Sequence, residues 1–360
     1  MNILDEEQKN VDNNIVKCRN SLFSLLGHTF AFNCALSPTV LVHIWRTCNL
    51  PVLLSGLNAL PIRTVNLASL TIFHKKILRG ILKLSLTSPI PALHFLLGEL
   101  PVEGLLHIRT LGLFYNLWSN PNITIFSIVK YILKMSKENS TTWANHIRIL
   151  CLRYGLPSPL SLLEMSQPWS KEAWSTLVKA KVINFHEKLL RDTAFKNSKM
   201  KYLNTELLGL SGRPYPILLN VCNKMDVKKL RLQLKFLTCD VYFTGQTNPS
   251  YCDLCGIDVD CISKHLLMDC KDLLDIKNRL YPELLNIVKD VQPTCKILAL
   301  PPPSSILIQF LLDCTSINLP EDYRIPSHNP SIGDIFRISR DWCFAAGRER
   351  HRILADQTGK

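Results

Sequence analysis

The sequence predicts a mainly α-helical protein that carries one small metal-binding module. Apolar residues recur at helical spacing through most of the chain, and capping residues, prolines and glycines stand where these patterns begin and end. Near position 260, three cysteines and a histidine have the spacing of zinc ligands. The length of 360 residues predicts two or three domains, and the hydrophobic content of 47% is typical of a chain that folds.

Helices are expected from one end of the chain to the other. They are predicted over residues 5–28, 37–50, 67–84, 101–118, 141–154, 170–191, 272–291 and 332–354, with one more beginning at Ser88-Pro89. The helix 170–191 is predicted to bury one stripe of side chains, Trp174, Leu177, Val178, Val182, Phe185 and Leu189. The segment 230–237 fits both a helix and an alternating strand, and Asp226 as a cap favours the helix.

Neither a signal peptide nor a membrane span is expected. Charged residues from Asp5 to Lys9 stand where a signal peptide would have its apolar region, so the protein is predicted to be intracellular, in the nucleus or cytoplasm, and not secreted. A long uncharged stretch follows Arg109, but a turn at 119–122 breaks it. Most of the thirteen cysteines stand singly, which in a reducing compartment indicates packing residues.

The charge favours a polyanionic partner. The chain has 42 Lys and Arg against 29 Asp and Glu, a net charge of +13, and fourteen basic against five acidic residues lie between positions 171 and 235. This basic region is either a solvated face over a core helix or a surface that contacts phosphates. The candidate nucleic-acid contacts are Lys75, Lys76, Arg79, Lys179, Lys188, Arg191, Lys228, Lys229, Arg231 and Lys235.

The metal-binding module is predicted from the pattern C-x2-C-x9-H-x4-C. Its ligands would be Cys252, Cys255, His265 and Cys270, and together they would hold one Zn²⁺ in a tetrahedral site. Four protein ligands leave no open position for water, so the zinc would be structural. Two alternatives stay open: Cys261 replaces Cys270 in the ligand set, or the cysteines are simply buried and His265 caps a helix.

The order of several short runs resembles the segment that follows the reverse-transcriptase domain in LINE-type, non-LTR retrotransposon polyproteins. The runs are Trp45 with PVLLSGL (51–57), HKKILRGIL (74–82), PALHFLLGELPVE (91–103), 150–163 with YGLPSP, KFLT (235–238) with Tyr242, the cysteine cluster, 313–314, RDWC (340–343) and RER (348–350). In that family, the early part would be a helical thumb and connection that holds the template–primer duplex by its backbone. The CCHC knuckle is associated with nucleic-acid binding during target-primed reverse transcription.

The resemblance and the composition together imply a division of the chain. It consists of a thumb/connection-like helical domain (1–155), a linker (156–168), a basic helical segment (169–238), the CCHC zinc-knuckle module (239–292), a proline-rich linker (293–330) and a C-terminal helix (331–360). The expected partners are RNA or DNA, contacted through the phosphate backbone, and other parts of a retroelement complex, with no membrane partner.

The chain is not expected to be an enzyme. A polymerase needs carboxylates that gather two metal ions, and the aromatic-x-Asp-Asp signature of the family's palm is not in the sequence, which contains no Asp-Asp pair. Pro320-Glu321-Asp322 and Asp334 are the candidates for a restriction-like endonuclease, but no lysine follows at a useful spacing. The predicted function is therefore non-sequence-specific nucleic-acid binding. The alternatives are a helical interaction scaffold with a structural zinc and a non-functional retroelement remnant.

Overall fold

The computed structural model is mainly helical, as predicted. It describes residues 3–26, 36–136, 142–165, 169–204, 209–219, 221, 223–239, 251–299, 301–316, 318–327 and 329–358. Within these ranges there is no β-strand, only an isolated antiparallel bridge between Tyr251 and Asp258. No helix in the described part of the chain combines the length and apolar composition needed to cross a membrane.

Helices account for most of the residues that the structure describes. The α-helices are Ile3–Leu26, Pro38–Ile44, Leu50–Leu53, Thr64–Leu82, Ile90–Leu97, Val102–Trp118, Ile123–Met135, Trp143–Tyr154, Pro159–Leu163, Lys171–Phe195, Lys224–Leu237, Ile262–Lys264, Leu274–Val291, Ser304–Leu312 and Ile332–Thr358. Two π-helical turns occur at Trp45–Asn49 and His265–Asp269. The contacts divide the chain into two compact units, one of Met1–Phe32, His43–Ile77 and Glu99–Leu190, the other of Asn33–Val42, Leu78–Gly98 and Arg191–Lys360.

Local capping explains several of the boundaries. The Thr142 hydroxyl accepts a hydrogen bond from the Asn145 amide and starts the helix Trp143–Tyr154, which Gly155 ends with a φ of +60°. This start and end were predicted; Thr141, the other predicted cap, lies outside the described residues. The helix Lys224–Leu237 confirms the helical interpretation of 230–237, but the predicted cap was wrong. Asn223 caps this helix instead, accepting from two backbone amides, and Asp226 lies in the first turn.

The helix Lys171–Phe195 buries a different stripe from the predicted one. Its buried side chains repeat every four residues and are Trp174, Val178, Val182, His186, Leu190 and Ala194. Leu189, predicted to be buried, is 51% exposed, and Leu177 and Phe185 are half-buried. The polar His186 takes the buried position because the core offers it a hydrogen-bond partner, which hydrophobicity alone cannot indicate.

In the first unit, the hydrogen-bond partner of His186 is Tyr154, and a second buried histidine, His107, contacts the same hydroxyl. The Tyr154 hydroxyl lies 2.6 Å from His107 Nδ1 and 3.2 Å from His186 Nε2. Because burial penalises the charged imidazolium, it lowers the pKa of His107 to about 2 and that of His186 to about 4. Both rings are therefore neutral at physiological pH, and each has a ring nitrogen within hydrogen-bond distance of the Tyr154 hydroxyl.

In the second unit, a buried carboxylate holds three segments together. Asp313 is fully buried and accepts hydrogen bonds from the Tyr215 hydroxyl, from the Asn204 amide at 3.0 Å and from the Thr315 hydroxyl at 2.6 Å. Burial raises the pKa of Asp313 even though these donors favour its carboxylate. A buried acceptor with so many donors fixes the loops that carry it.

Both predicted linkers contain buried structure. The short helix Pro159–Leu163 lies in the first one and buries Leu162 and Leu163, while residues 166–168 lie outside the described residues. The second one contains the helix Ser304–Leu312, most of whose side chains are buried. Pro301 to Pro303 precede this helix directly, because proline is favoured just before and within the first turn of a helix. The proline-rich composition thus marked a helix start in a packed segment.

Candidate metal centre

The first two candidate ligands lie on a tight backbone turn. The Gly256 amide donates to the Cys252 carbonyl at 2.9 Å, and the Cys252 amide donates to the Ile257 carbonyl at 3.0 Å. Gly256 has a φ of +71°, in the left-handed region that glycine enters without steric cost. The chain folds back over the turn and brings the Cys252 and Cys255 thiols together. Residues 240–250 of the predicted module, which include Tyr242, lie outside the described residues.

The other two ligands lie on the helical segment that follows. An α-helical turn, Ile262–Lys264, continues into the π-helical turn His265–Asp269, in which the Cys270 amide donates to the His265 carbonyl at 2.7 Å. In an ordinary α-helix, residues five apart point about 140° away from each other. The wider turn brings the two side chains to the same side, and such π-turns are frequent at functional sites.

All four ligand atoms converge on one point. They lie within 4.8 Å of one another, and Cys255 Sγ lies 3.2 Å from His265 Nε2. A tetrahedral zinc site, with Zn–S near 2.3 Å and Zn–N near 2.0 Å, places sulfur and nitrogen ligands about 3.5 Å apart. Cys252, His265 and Cys270 are buried and Cys255 is half-buried. This donor set can hold a metal ion.

The electrostatics of the cluster favour a cation. Burial raises the pKa of the Cys270 thiol to about 12, raises that of Cys252 and lowers that of His265. Three thiolates this close together would repel one another, and burial removes the water that would stabilise them. Since the thiolate is the form that binds metal, a divalent cation would supply the missing stabilisation and release the thiol protons on binding.

A buried arginine supports the cluster from the C-terminal helix Ile332–Thr358. Arg350 is only 3% exposed, and one of its NH₂ groups donates to the Asp253 carboxylate at 2.5 Å. Burial lowers the pKa of this guanidinium, and the negative charges of Asp253 and of a Cys252 thiolate oppose that shift. A Cys₃His site with a divalent ion carries a net charge of about −1, so Arg350 lies where a compensating positive charge is needed.

Cys261 does not belong to the converging set. Its sulfur instead lies 3.3 Å from the Tyr202 hydroxyl, outside the group of converging ligand atoms. The neighbouring Cys239 thiol and, after it, the Tyr202 hydroxyl lower the pKa of the Cys261 thiol. The geometry therefore favours the ligand set with Cys270 over the alternative set with Cys261.

Among the predicted nucleic-acid contacts, those on the helix Lys224–Leu237 are brought together. The helix contains five basic residues and one acidic residue. Lys228 is exposed, Arg231 and Lys235 are half-buried, and their spacing places them with Lys224 on one face, roughly opposite the buried Gln233 and Leu237. Lys229 points to the side and pairs with Asp341 of the C-terminal helix at 2.5 Å.

The other predicted contacts are spread over two further helices. On Thr64–Leu82, Lys76 is exposed, while Lys75 and Arg79 are half-buried and one turn apart. On Lys171–Phe195, Lys179 and Lys188 are exposed. They are nine residues apart and leave the helix on opposite sides. Arg191 of the same helix is half-buried.

The burial of Arg350 has a signal in the sequence. Trp342, Ala346 and Arg350 are spaced four residues apart on the C-terminal helix, and all three are buried. An arginine in phase with an apolar stripe indicates a buried cation that needs an acidic partner. That partner is Asp253, in the turn that carries the first two ligands.

No protein-family model, curated protein or solved structure matches the chain. The resemblance to the LINE-type segment therefore stays a prediction, as do the roles of the basic residues. What is known of the candidate metal centre comes from its own geometry.

Proposed function

We propose that the protein binds RNA or DNA through the phosphate backbone, without reading the base sequence. The observation that carries the proposal is the basic face of the helix Lys224–Leu237, formed by Lys224, Lys228, Arg231 and Lys235. These positions follow an i, i+4, i+7, i+11 spacing, which keeps them on one side of a helix for three turns. A row of cations at this spacing suits a row of phosphates, since each contact releases a counterion.

We further propose that Cys252, Cys255, His265 and Cys270 bind one structural zinc ion. Three thiolates and one imidazole in a tetrahedral arrangement suit Zn²⁺ better than Mg²⁺ or Ca²⁺, which prefer oxygen ligands. All four positions are taken by the protein, so the ion would contribute to folding and would not activate water. Its binding energy would be folding energy of the unit that contains Arg191–Lys360.

The proposed metal site and the basic face are connected through the C-terminal helix. Asp253, between the first two ligands, pairs with Arg350 of that helix. Asp341 of the same helix pairs with Lys229 of the basic helix. The two helices are in close contact, because an added Cβ at Gly347 would overlap the Leu232 side chain. Loss of the metal would therefore destabilise the Cys252–Cys255 turn. Through the C-terminal helix, it would also destabilise the basic face.

Fluorescence anisotropy with a labelled single-stranded RNA tests the binding proposal. Four phosphate contacts predict a slope of about −3 when the logarithm of the association constant is plotted against that of the salt concentration. The double variant Lys224→Glu/Lys228→Glu changes two exposed side chains and should weaken binding to all sequences alike and flatten this slope. The control Lys9→Glu/Lys289→Glu carries the same net charge and should bind like the wild type. Absence of binding at low salt, or an equal loss in the control, would refute the proposal.

The family origin and the absence of catalysis are also proposals. The ordered runs that resemble the post-polymerase segment of LINE-type elements, together with the lack of an Asp-Asp pair, support a non-catalytic relative of that segment. A reading frame upstream of Met1 that encodes a palm with an Asp-Asp pair would support the same origin. Polymerase activity would then be proposed for the longer protein that contains the palm.

A second candidate function, a scaffold for protein partners, is favoured by the helix Ile123–Met135. This helix exposes large apolar side chains, with Ile123 78%, Tyr131 64% and Met135 64% exposed. An apolar cavity of about 260 Å³ lies beside it, lined by Ile128, Ile132 and Trp143 among others. Large exposed apolar patches mark interaction surfaces. If the RNA titration shows no binding, this scaffold function becomes the better interpretation.

A further inference from the structure

A cavity of about 430 Å³ lies within the first compact unit, which contains neither the candidate metal ligands nor the basic helix. The helices Val102–Trp118 and Lys171–Phe195 and the turn around Gly56 line it. On each helix, residues at i, i+3, i+4 and i+7, which share one helix face, line the cavity: Arg109, Gly112, Leu113 and Asn116 on the first, and Lys171, Trp174, Ser175 and Val178 on the second. Two long helices therefore shape the cavity.

The charged side chains that line the cavity are both cations. They are the half-buried Arg109 and the exposed Lys171, and no Asp or Glu among the described residues lines it. In the part of the chain that the structure describes, neither side chain forms a hydrogen bond or an ion pair with the protein. Burial also lowers the pKa of Arg109, because its guanidinium has lost part of its hydration. An anion in the cavity would supply the partner that both cations lack.

The remaining wall is apolar, with a few neutral polar groups. The buried Leu54 and Trp174 line it, and the Trp174 indole N–H already donates to the Leu111 carbonyl at 3.1 Å, so its ring offers an apolar surface. Asn58 and Asn116 also line it, and each amide side chain contains a donor and an acceptor. Sites for small molecules have this composition and volumes of about 300–1,000 Å³.

We propose that this cavity binds a nucleoside monophosphate, with the phosphate held by Arg109 and Lys171 and the base packed on the apolar wall. A phosphate is a strong acceptor for a guanidinium and an ammonium group. The amides of Asn58 and Asn116 match the donors and acceptors on the edge of a base. Inorganic phosphate would leave the apolar wall uncovered, and a nucleoside would leave the cations unpaired, so the ligand must combine both parts.

Gly112 offers a way to fill the cavity while the fold stays intact. An added Cβ at this position meets nothing within 4 Å, so a longer side chain would extend into the empty space. Leucine is also a stronger helix former than glycine. Gly112→Leu should therefore melt at or above the temperature of the wild type and lose the binding of the nucleotide.

Isothermal titration calorimetry of the full chain with AMP, GMP, CMP and UMP tests the proposal. At least one of them should bind at one site per chain, and the matching nucleoside and inorganic phosphate should each bind at least about tenfold more weakly. Arg109→Gln and Lys171→Gln should each weaken nucleotide binding by about tenfold. Lys181→Gln, an exposed position of the same helix that does not line the cavity, should bind like the wild type.

This proposal stands or falls separately from nucleic-acid binding by the basic face. The variant Lys224→Glu/Lys228→Glu changes the other unit and should bind the nucleotide like the wild type. Absence of binding by all four nucleotides at millimolar concentration, or equally tight binding of the nucleoside or of inorganic phosphate, would overturn the proposal. Unchanged affinity in a folded Gly112→Leu would overturn it as well. If that variant does not fold, a loss in Lys181→Gln as large as in Arg109→Gln would have the same consequence.

Discussion

Arg350 of the C-terminal helix and Asp253 of the Cys252–Cys255 turn form an ion pair of 2.5 Å, in which the arginine side chain is only 3% exposed. They are separated by almost a hundred positions in the sequence. The pair links the metal-binding turn to the longest helix of its unit. A buried guanidinium of this kind is stable only while its partner is in place.

The first prediction is that Arg350→Gln destabilises the protein and weakens metal binding. Removal of the guanidinium leaves the Asp253 carboxylate and the thiolate cluster without their compensating charge, at a cost of about 3 kcal/mol in the free energy of unfolding. Urea unfolding and competition for metal with a chromophoric chelator measure the two effects. Arg352→Gln, which breaks exposed pairs with Glu349 and Asp356 on the same helix, is the control and should change little. Equal behaviour of the two variants would contradict the supporting role.

The second prediction compares two glycines that end helices. Gly98 and Gly155 have nearly the same left-handed φ, +61° and +60°. An added Cβ at Gly98 would overlap the backbone carbonyl of Arg213, while a Cβ at Gly155 meets nothing within 4 Å. Gly155→Ala should therefore cost about 1 kcal/mol, the price of the conformation alone, and Gly98→Ala at least twice as much. Urea denaturation measures both, and equal losses would contradict the close approach at Gly98.

The third prediction concerns the pH dependence of stability. Burial keeps His107 and His186 neutral in the folded state, with pKa values of about 2 and about 4, whereas the unfolded chain takes up both protons below about pH 6.5. Above pH 6.5 both histidines are neutral in the folded and in the unfolded state, so they do not lower the free energy of unfolding there. As the pH falls from 6.5 towards 4, each histidine should remove about 1.4 kcal/mol of stability per pH unit.

The variant His107→Gln isolates this effect. It can keep a hydrogen bond to Tyr154 but cannot take up the proton, so its free energy of unfolding should fall less steeply than that of the wild type between pH 6.5 and 5. Metal release at low pH affects both proteins alike and cancels in the comparison. His351→Gln, at an exposed position, serves as the control. An unchanged slope in His107→Gln would contradict the buried, neutral state of His107.

Local sequence signals predicted most of the helices but not what each helix buries. Gly155 and Thr142 act on their own backbone neighbourhood, so the bounds of Trp143–Tyr154 followed from the sequence. The burial of His186 and the exposure of Leu189 depend on Tyr154, a residue of another helix, and no periodicity contains that information.

In the candidate site, too, the features that depend on neighbouring residues were predictable and those that depend on distant residues were not. The C-x2-C turn was predictable because Gly256 and the two cysteines act locally. The sequence also favoured Cys270 over Cys261, but it did not indicate the π-helical turn at His265–Asp269 that brings Cys270 and His265 together. The spacing of Trp342, Ala346 and Arg350 indicates a buried arginine, but its partner, Asp253, was not predictable because it lies in a distant segment.

The metal content of the purified chain tests the central claim most directly. Native mass spectrometry of the wild type should show one zinc ion per chain, lost in Cys270→Ser and retained in Cys261→Ser. This pair of variants separates the four-residue set from its alternative, since both change one cysteine within the same segment. A wild-type chain without metal, or loss of zinc in Cys261→Ser but not in Cys270→Ser, would contradict the assignment of Cys252, Cys255, His265 and Cys270 as the ligands.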